Sequence, residues 1–422
     1  MVLAAVIAIF LANSPWHETY FGILETHLLV ELGPFHLEES LLHLVNDGLM
    51  VIFFYVVGLE IKRELVLGEL RDPKTAALPV MAALGGMVLP ALIYLAIAGG
   101  VPGAARGWGI PVATDIAFSL GVLSLLGRRV PATAKLFLLT LAIVDDLGGI
   151  LIIALFYTDD LSVGWLGVGL AALALVGVAS RVGIRSHVFY LPAALVAWFG
   201  FLESGVHATI AGVALAFLTP ARPMYGAEEL DRRARRILDL FPTQEETAEQ
   251  REKVEHEAML LAEIARESVA PLTRNEHRLQ PWSSYVVIPI FALANAGVRF
   301  EQGIVEPLLT PIALGVAAGL LVGKTVGISA FTWGAVRLGW GRLPSGVGWR
   351  QLTGVAATAG IGFTVSLFIT ALAFTDPALA ADAKVGIFAG SLASALLGVA
   401  ILAGSRPAPV PAQEPEPAME TL

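Results

Sequence analysis

Two aspartates stand side by side in LAIVDDLGGILII, a run that is otherwise apolar: Asp145 and Asp146. Asp145 follows Lys135 by ten residues, about 15 Å along a helix axis, which puts the pair near mid-membrane. Adjacent carboxylates cannot both stay ionised in a low-dielectric surrounding unless a proton or a cation neutralises them. Such a pair suits a site that holds protons or a small hard cation, but not both at once. Oxygen ligands favour sodium or lithium over soft metals. The competing reading is structural, with each carboxylate bonded to neighbouring helices.

Three further groups share this apolar setting. Asp115 lies in GIPVATDIAFSLGVL, where Gly107, Gly109 and Pro111 can break a helix. A break at membrane depth is tolerated only where the backbone is buried or lines a cavity. Beside one, Asp115 either neutralises the positive ends of half-helices or takes part in ion transfer. Lys324 lies in LGVAAGLLVGKTVGISAF, too deep to snorkel, among glycines that admit close helix packing. Its expected partner is a carboxylate, Asp145 by preference, or a helix C-terminus. His207, after Gly205 and Val206 at a span start, is either a hydrogen-bonded packing group or a pH-responsive one. Asp47 also lies within an apolar run, with Glu60 near a helix end. Such groups are costly in a membrane and usually functional.

The elements that must hold these residues follow from hydropathy. The chain has 422 residues, 56% of them hydrophobic and only 15% charged, with a mean hydropathy of +0.73. A soluble domain carries about a quarter charged residues. Runs long enough to span a bilayer recur near 2–13, 41–63, 76–98, 107–126, 132–157, 162–180, 187–202, 205–219, 283–298, 306–336, 350–374 and 384–404. The fold class is therefore an all-α polytopic membrane protein of about twelve spans. The first run, Val2 to Leu11, lacks the basic flank and cleavage site of a signal peptide; it reads as a partial first helix or as part of a span whose start lies upstream.

Basic residues test the topology. Segment 14–40 holds glutamates and no Lys or Arg, whereas Lys62, Arg63, Arg71 and Lys74 crowd the next loop. The alternation continues: Arg106 alone, then Arg128, Arg129 and Lys135; Asp159 and Asp160, then Arg181 and Arg185; Arg299 alone, then Arg337, Arg342 and Arg350. An even span count with both termini cytoplasmic satisfies it.

The expected organisation is residues 1–75 as two interface helices with an external hairpin near 26–37, around Gly33-Pro34; 76–158 as a first core repeat; 159–220 as spans six to eight; 221–281 as a charged cytoplasmic loop with one or two amphipathic helices; 282–300 as span nine; 301–405 as a second core repeat; and 406–422 as a disordered Pro/Glu/Ala-rich tail. Ile116-Ala117-Phe118-Ser119-Leu120 echoes Ile361-Gly362-Phe363-Thr364-Val365. The echo suggests inverted three-helix repeats, spans 3–5 and 10–12, with two broken crossing helices and a transport site at the midplane. The absence of cysteine rules out disulfides, zinc–thiolate sites and thiol nucleophiles. The basic residues form no patch of the kind nucleic acid requires.

Together NDGLMVIFF and VGLEIKREL (46–66), ATDIAFSLGVL (113–123), AIVDDLGGILIIALFYT (142–158), SGVHATIAG (204–212), FALANAGV (291–298), LLVGKTVGIS (320–329) and GIGFTVSLFI (360–369) resemble the NhaA-type sodium/proton antiporters of bacteria. This family is one of the established cases of inverted repeats in transporters, so that architecture is a known property of the family and not a new deduction. The resemblance covers nearly the whole chain outside 221–275 and the tail. It implies an inner-membrane secondary transporter that is not an enzyme, binds sodium or lithium at Asp145 and Asp146, pairs Asp145 with Lys324, and sets Thr114 and Asp115 beside the site. It further implies electrogenic exchange by alternating access, no cofactor, membrane lipid as surroundings, and a homodimer formed partly through the hairpin. The family's pH response maps onto Glu60, Arg63, Glu64, Glu276 and His277, with His207 further off. Two departures stand out: a much longer loop before Glu276, and Gln280 where a histidine often precedes the Pro-Trp pair.

Other classes fit less well. An intramembrane aspartyl protease needs a Gly-x-Gly-Asp stretch, which is missing. An acidic pathway would allow a passive cation channel, but a buried Lys324 opposing the acids suits a gated carrier better. A cation-coupled solute symporter would show sodium-driven uptake of an organic solute.

Overall fold

The computed structural model describes residues 1–32, 35–158, 161–184, 187–238, 248–300, 303 and 305–405. The hairpin turn at Gly33-Pro34, the topology markers Asp159, Asp160 and Arg185, and the tail after 405 lie outside the described residues.

In chain order the principal elements are α1 (Val2–Ala12), α2 (His17–Leu24), β1 (His27–Leu32), β2 (Phe35–Ser40), α3 (Leu41–Leu67), α4 (Pro73–Ala98), α5 (Ile116–Leu125), α6 (Ala132–Phe156), α7 (Val163–Val182), α8 (His187–Leu202), α9 (Thr209–Leu218), α10 (Ala227–Leu238), α11 (Ala248–Glu267), α12 (Pro271–Trp282), α13 (Ile288–Asn295), α14 (Pro311–Arg337), α15 (Trp349–Thr358), α16 (Phe363–Ala373) and α17 (Pro377–Ala403). A helical segment stands at each of the twelve expected positions. Among the described residues six helices are long and apolar enough to cross a membrane alone, or eight if each of two bent pairs is one span. The bent pairs are Ala104–Val112 with α5, at 43°, and α15 with α16, at 46°.

The remaining apolar helices are short. The span expected over 205–219 is only the ten-residue α9, about 15 Å of helix against a hydrocarbon core of about 30 Å. Gly205, at φ 79°, and the turn around Ser204 delay its start. The hairpin lies slightly later than 26–37: β1 and β2 pair antiparallel from His27 opposite Ser40 to Leu32 opposite Phe35. The charged loop carries three helices, α10, α11 and α12, rather than one or two. The third starts at Pro271, whose fixed φ suits a first helical turn.

The chain divides into two compact units. One comprises Met1–Ala76, Asp146–Pro307 and Leu367–Val385. In it Gly212 lets α9 approach α3, since a Cβ there would stand 2.5 Å from the Val51 carbonyl oxygen. Ala172, Leu173, Ala197, Phe201 and Ala211 form a small core among α7, α8 and α9. The other unit comprises Ala77–Asp145, Leu308–Ser366 and the chain from Gly386 on. Along the chain the order of long helix, broken helix, long helix occurs twice: α4, Ala104–Val112 with α5, and α6; then α14, α15 with α16, and α17. The core of this second unit includes Leu123, Leu138, Leu141, Ile328, Leu352 and Ala356. Two glycines bring α4 and α14 to backbone contact: a Cβ on Gly327 would stand 2.1 Å from the Gly85 oxygen. Small residues at such crossings are how membrane helices associate without a hydrophobic driving force. Leu92, Leu155, Phe156, Val188, Leu191 and Leu396 remain more than half exposed, the expected surface for lipid.

Candidate functional site: a buried aspartate–lysine pair beside two broken helices

The breaks have a local cause. Ala113 and Asp115 are extended, and after Pro111 the chain leaves its 3-10 turns and restarts as α5. The second break falls between Thr358 and Phe363, where the chain reads Ala-Gly-Ile-Gly. A Cβ at Gly360 would stand 2.3 Å from the Leu320 oxygen, so this turn needs glycine for close approach. Breaking a helix in a membrane frees backbone groups that must find partners inside the protein. They find one another here. The Asp115 amide donates to the Ile361 oxygen at 2.6 Å. The Thr114 hydroxyl donates to the Ala359 oxygen and the Ser119 hydroxyl to the Thr358 oxygen, both at 2.8 Å. The Ser366 hydroxyl reaches the Ile110 oxygen at 2.7 Å, and the Gly362 amide reaches Ser391 Oγ at 3.3 Å. The echo between 116–120 and 361–365 has a physical counterpart: Phe118 and Phe363 meet edge to face at 5.4 Å.

Asp115 serves both restarts. Its Oδ1 accepts from the Phe118 amide at 3.1 Å, capping α5. Its Oδ2 accepts from the Thr364 amide at 3.2 Å and the Thr364 hydroxyl at 2.5 Å, at the start of α16. One buried carboxylate thus meets the positive ends of two helix dipoles, the electrostatic role considered for it from sequence.

Lys324 directly follows a π-helical turn, Gly319–Gly323. Turns of this kind shift the helical register and often mark functional positions. Lys324 Nζ donates to Asp145 Oδ2, and both side chains are completely shielded from solvent. Thr114 lies against Asp145. The other Asp145 oxygen, Oδ1, is buried and accepts no hydrogen bond, which leaves an acceptor open in a polar pair. Asp146, the next residue on α6, is 6% exposed and points about 100° further round the helix.

The residues matched to pH response fall in the other unit and do not form one uniform cluster. Arg63 on α3 pairs with the buried Glu276 on α12. Glu60 feels Glu276, Arg63 and Glu64 electrostatically. Glu64 turns back to cap its own helix end, accepting from the Glu69 amide at 2.8 Å. His277 is exposed and acts on Glu276 through its charge. Burial pushes the Glu276 carboxyl above the usual glutamate range, opposed by Arg63 and His277. His207 stands apart, with Nε2 2.7 Å from the Tyr157 oxygen.

Some polar contacts escaped the sequence reading. Asn295 Nδ2 donates to Asn46 Oδ1 at 2.7 Å with both side chains buried. His43 Nε2 lies 3.0 Å from Asp47 Oδ2. The hydroxyls of Ser119, Thr364 and Ser366 bind the broken helices. The asparagines sit in NDG and NAG, stretches that signal turns as readily as buried pairs.

The family model described as Na+/H+ antiporter 1 matches residues 1–402. The chain belongs to that family. Similar relatives include the Na(+)/H(+) antiporter NhaA of Syntrophobacter fumaroxidans, 46% identical over 415 residues, covering 96% of this chain and 88% of the relative. Another is the Na(+)/H(+) antiporter NhaA 2 of Pseudomonas savastanoi pv. phaseolicola, 46% identical over 403 residues and covering 95% and 91%. Among solved structures, the sodium proton antiporter MjNhaP1 from Methanocaldococcus jannaschii at pH 8 matches with a TM-score of 0.49 and 14% identity, over 96% of this chain and 91% of that one. As a member of the Na+/H+ antiporter 1 family, the chain places its one fully buried lysine–aspartate pair, among the described residues, in the segments that carry its DD and GK motifs.

Proposed function

We propose that this protein is an electrogenic sodium(lithium)/proton antiporter of the bacterial inner membrane, a secondary transporter with no catalytic chemistry of its own. The observation that carries the proposal is the buried Asp145–Lys324 pair with Asp146 adjacent on the same helix. Two carboxylates and one ammonium sum to one negative charge. A sodium ion brings that sum to zero without covalent chemistry. Two protons bring it to one positive charge. Exchange of one state for the other across the membrane therefore moves net charge, with more protons than sodium ions per cycle. Burying an unbalanced carboxylate is costly, so the empty, doubly ionised state is disfavoured and the two cargoes compete.

In the cycle, sodium from the cytoplasm displaces protons from Asp145 and Asp146. The core built from α4 to α6 and α14 to α17 then moves against the remaining helices. Outside, sodium leaves and protons rebind, driven by the inward proton gradient. Asp115 and Thr114 hold the broken helices in place while Lys324 stands in for a cation when none is bound. Both termini face the cytoplasm, the side richer in loop Lys and Arg. The hairpin of β1 and β2 forms part of a homodimer contact. Sodium and pH homeostasis is the physiological role that follows.

The test is sodium-driven collapse of a preset pH gradient in proteoliposomes. Collapse by the wild-type protein and its loss in Asp146→Asn are expected. Sodium current without proton counterflow would instead identify a channel.

A further inference from the structure

Ile361 follows Ile116 by 245 positions, and the same offset relates the rest of the two repeats. It carries Ala104–Val112 onto 349–357, where α15 lies, and α6 onto 377–401, where α17 lies. It also carries Asp145 and Asp146 onto Gly390 and Ser391. In the first repeat α6 meets its own broken helix through a carboxylate, since Asp145 lies against Thr114. In the second, α17 meets its broken helix through hydroxyls. Ser391 Oγ accepts from the Gly362 amide at 3.3 Å, and Ser394 lies against Gly360. Both serines are buried. The second repeat thus presents uncharged oxygens where the first presents the aspartate pair.

The two hydroxyls are not equivalent. Ser391 holds a backbone amide of the break, whereas Ser394 Oγ is fully shielded and has no hydrogen-bond partner among the described residues. A buried hydroxyl left unpaired is costly, and alanine would fill the same space without that cost. An acceptor is close. A Cβ on Gly360 would stand 2.3 Å from the Leu320 oxygen and 2.5 Å from Ser394 Oγ, so the two oxygens flank one point with only Gly360 between them. Leu320 belongs to the π-helical turn that precedes Lys324. The same break touches the ion site from its other side, because the Ala359 oxygen accepts from the Thr114 hydroxyl and Thr114 lies against Asp145. A shift of 359–362 is therefore felt both at Asp145 and at the turn that carries Lys324.

We propose that Ser391 and Ser394 are positioning residues that bond in alternate states of the ion site. Ser391 holds Gly362 while Lys324 holds Asp145. When sodium occupies Asp145 and Asp146, Lys324 is released, the π-helical turn and the second break shift, and the Ser394 hydroxyl donates to the Leu320 oxygen. The proposal rests on the antiport reading. It gives the second repeat a hold on sodium affinity through two hydroxyls that never touch the ion. A group that bonds in one state only shifts the equilibrium toward that state. The two serines therefore act with opposite sign: loss of Ser391 tightens sodium binding, and loss of Ser394 weakens it.

The experiment measures sodium binding to the purified full chain by calorimetry at one fixed pH, with thermal melts in the absence of sodium. One hydrogen bond between neutral groups is expected to move the Kd about three- to fivefold. Ser391→Ala should bind sodium more tightly by that factor and melt below wild type. Ser391→Thr, which keeps the hydroxyl, should match wild type in both. Ser394→Ala should bind sodium more weakly by the same factor while melting no lower than wild type, because it removes a hydroxyl that is unpaired until sodium binds. The double alanine variant should return the Kd to within about twofold of wild type, as opposite terms cancel. Hydrogen exchange of the Gly362 amide should quicken in Ser391→Ala. A Kd that moves the same way in both alanine variants, or in neither, would overturn the proposal, as would a Ser394→Ala protein that melts below wild type without sodium. If Ser391→Ala does not fold, Ser394→Ala decides alone: an unchanged or tighter Kd there overturns the proposal. Absence of sodium binding by the wild-type protein would instead overturn the antiport reading, and the melts and the Gly362 hydrogen exchange would still decide which serine is bonded.

Discussion

Replacing Lys324 by methionine keeps its length and removes its charge. Lys324 and Asp145 are both fully shielded from solvent and bonded to each other, and Asp145 Oδ1 accepts no hydrogen bond that could compensate. Removing one partner of a buried pair costs about 3–5 kcal/mol, because the other charge is left uncompensated. Unfolding entropy of about 2 cal/mol/K per residue, taken over 422 residues, makes the melting temperature fall ~1 °C per kcal/mol. Lys324→Met is therefore expected to melt ~3–6 °C below wild type. Replacing both partners removes the stranded charge, so Lys324→Met with Asp145→Asn should recover most of that loss. The eight tryptophans supply an intrinsic fluorescence signal for the melt in detergent. A single variant as stable as wild type, or a double variant no better than the single, would refute the reasoning from burial.

Three other outcomes follow from the same structure. Thr364→Val removes one of two donors to Asp115 Oδ2 and should cost about 1 kcal/mol, as for a lost helix cap, with Thr364→Ser near wild type in the same melt. Gly327→Ala places a methyl group 2.1 Å from the Gly85 oxygen; because backbone faces backbone, thermal stability and folded yield on gel filtration should both fall sharply. Burial pushes the Tyr20 phenol up to about 12 while its hydroxyl donates to the Leu293 oxygen at 2.7 Å. The unfolded chain then ionises first, so stability is lost as pH climbs from about 10 toward 12, and Tyr20→Phe should flatten that part of the profile.

Much of this organisation is readable in the sequence because a membrane leaves few choices. Backbone must close its own hydrogen bonds, so apolar runs become helices, and the depth of Lys324 leaves a buried carboxylate as its natural partner. The contact with Asp145 is what the structure places there. Length was harder to read: nothing in the apolar run 205–219 announces that Gly205 and Ser204 shorten its helix to Thr209–Leu218. The hydroxyls of Ser119, Thr364 and Ser366 were invisible for a different reason. Their partners lie 239, 249 and 256 positions away, and small polar residues are common in membrane helices for packing alone. The third helix of the charged loop was missed because its apolar face is interrupted by Arg274, Asn275 and Glu276, which turn out to be its contacts.

The central claim is that sodium and protons compete for Asp145 and Asp146. Sodium binding to the purified protein, measured by calorimetry across a range of pH, tests it most directly. The account predicts binding that weakens about tenfold for each unit of pH lost per competing proton, with matching proton release, as simple linkage requires, and no sodium heat in Asp146→Asn. Sodium affinity that is independent of pH, or that survives intact in Asp145→Asn and Asp146→Asn, would contradict it.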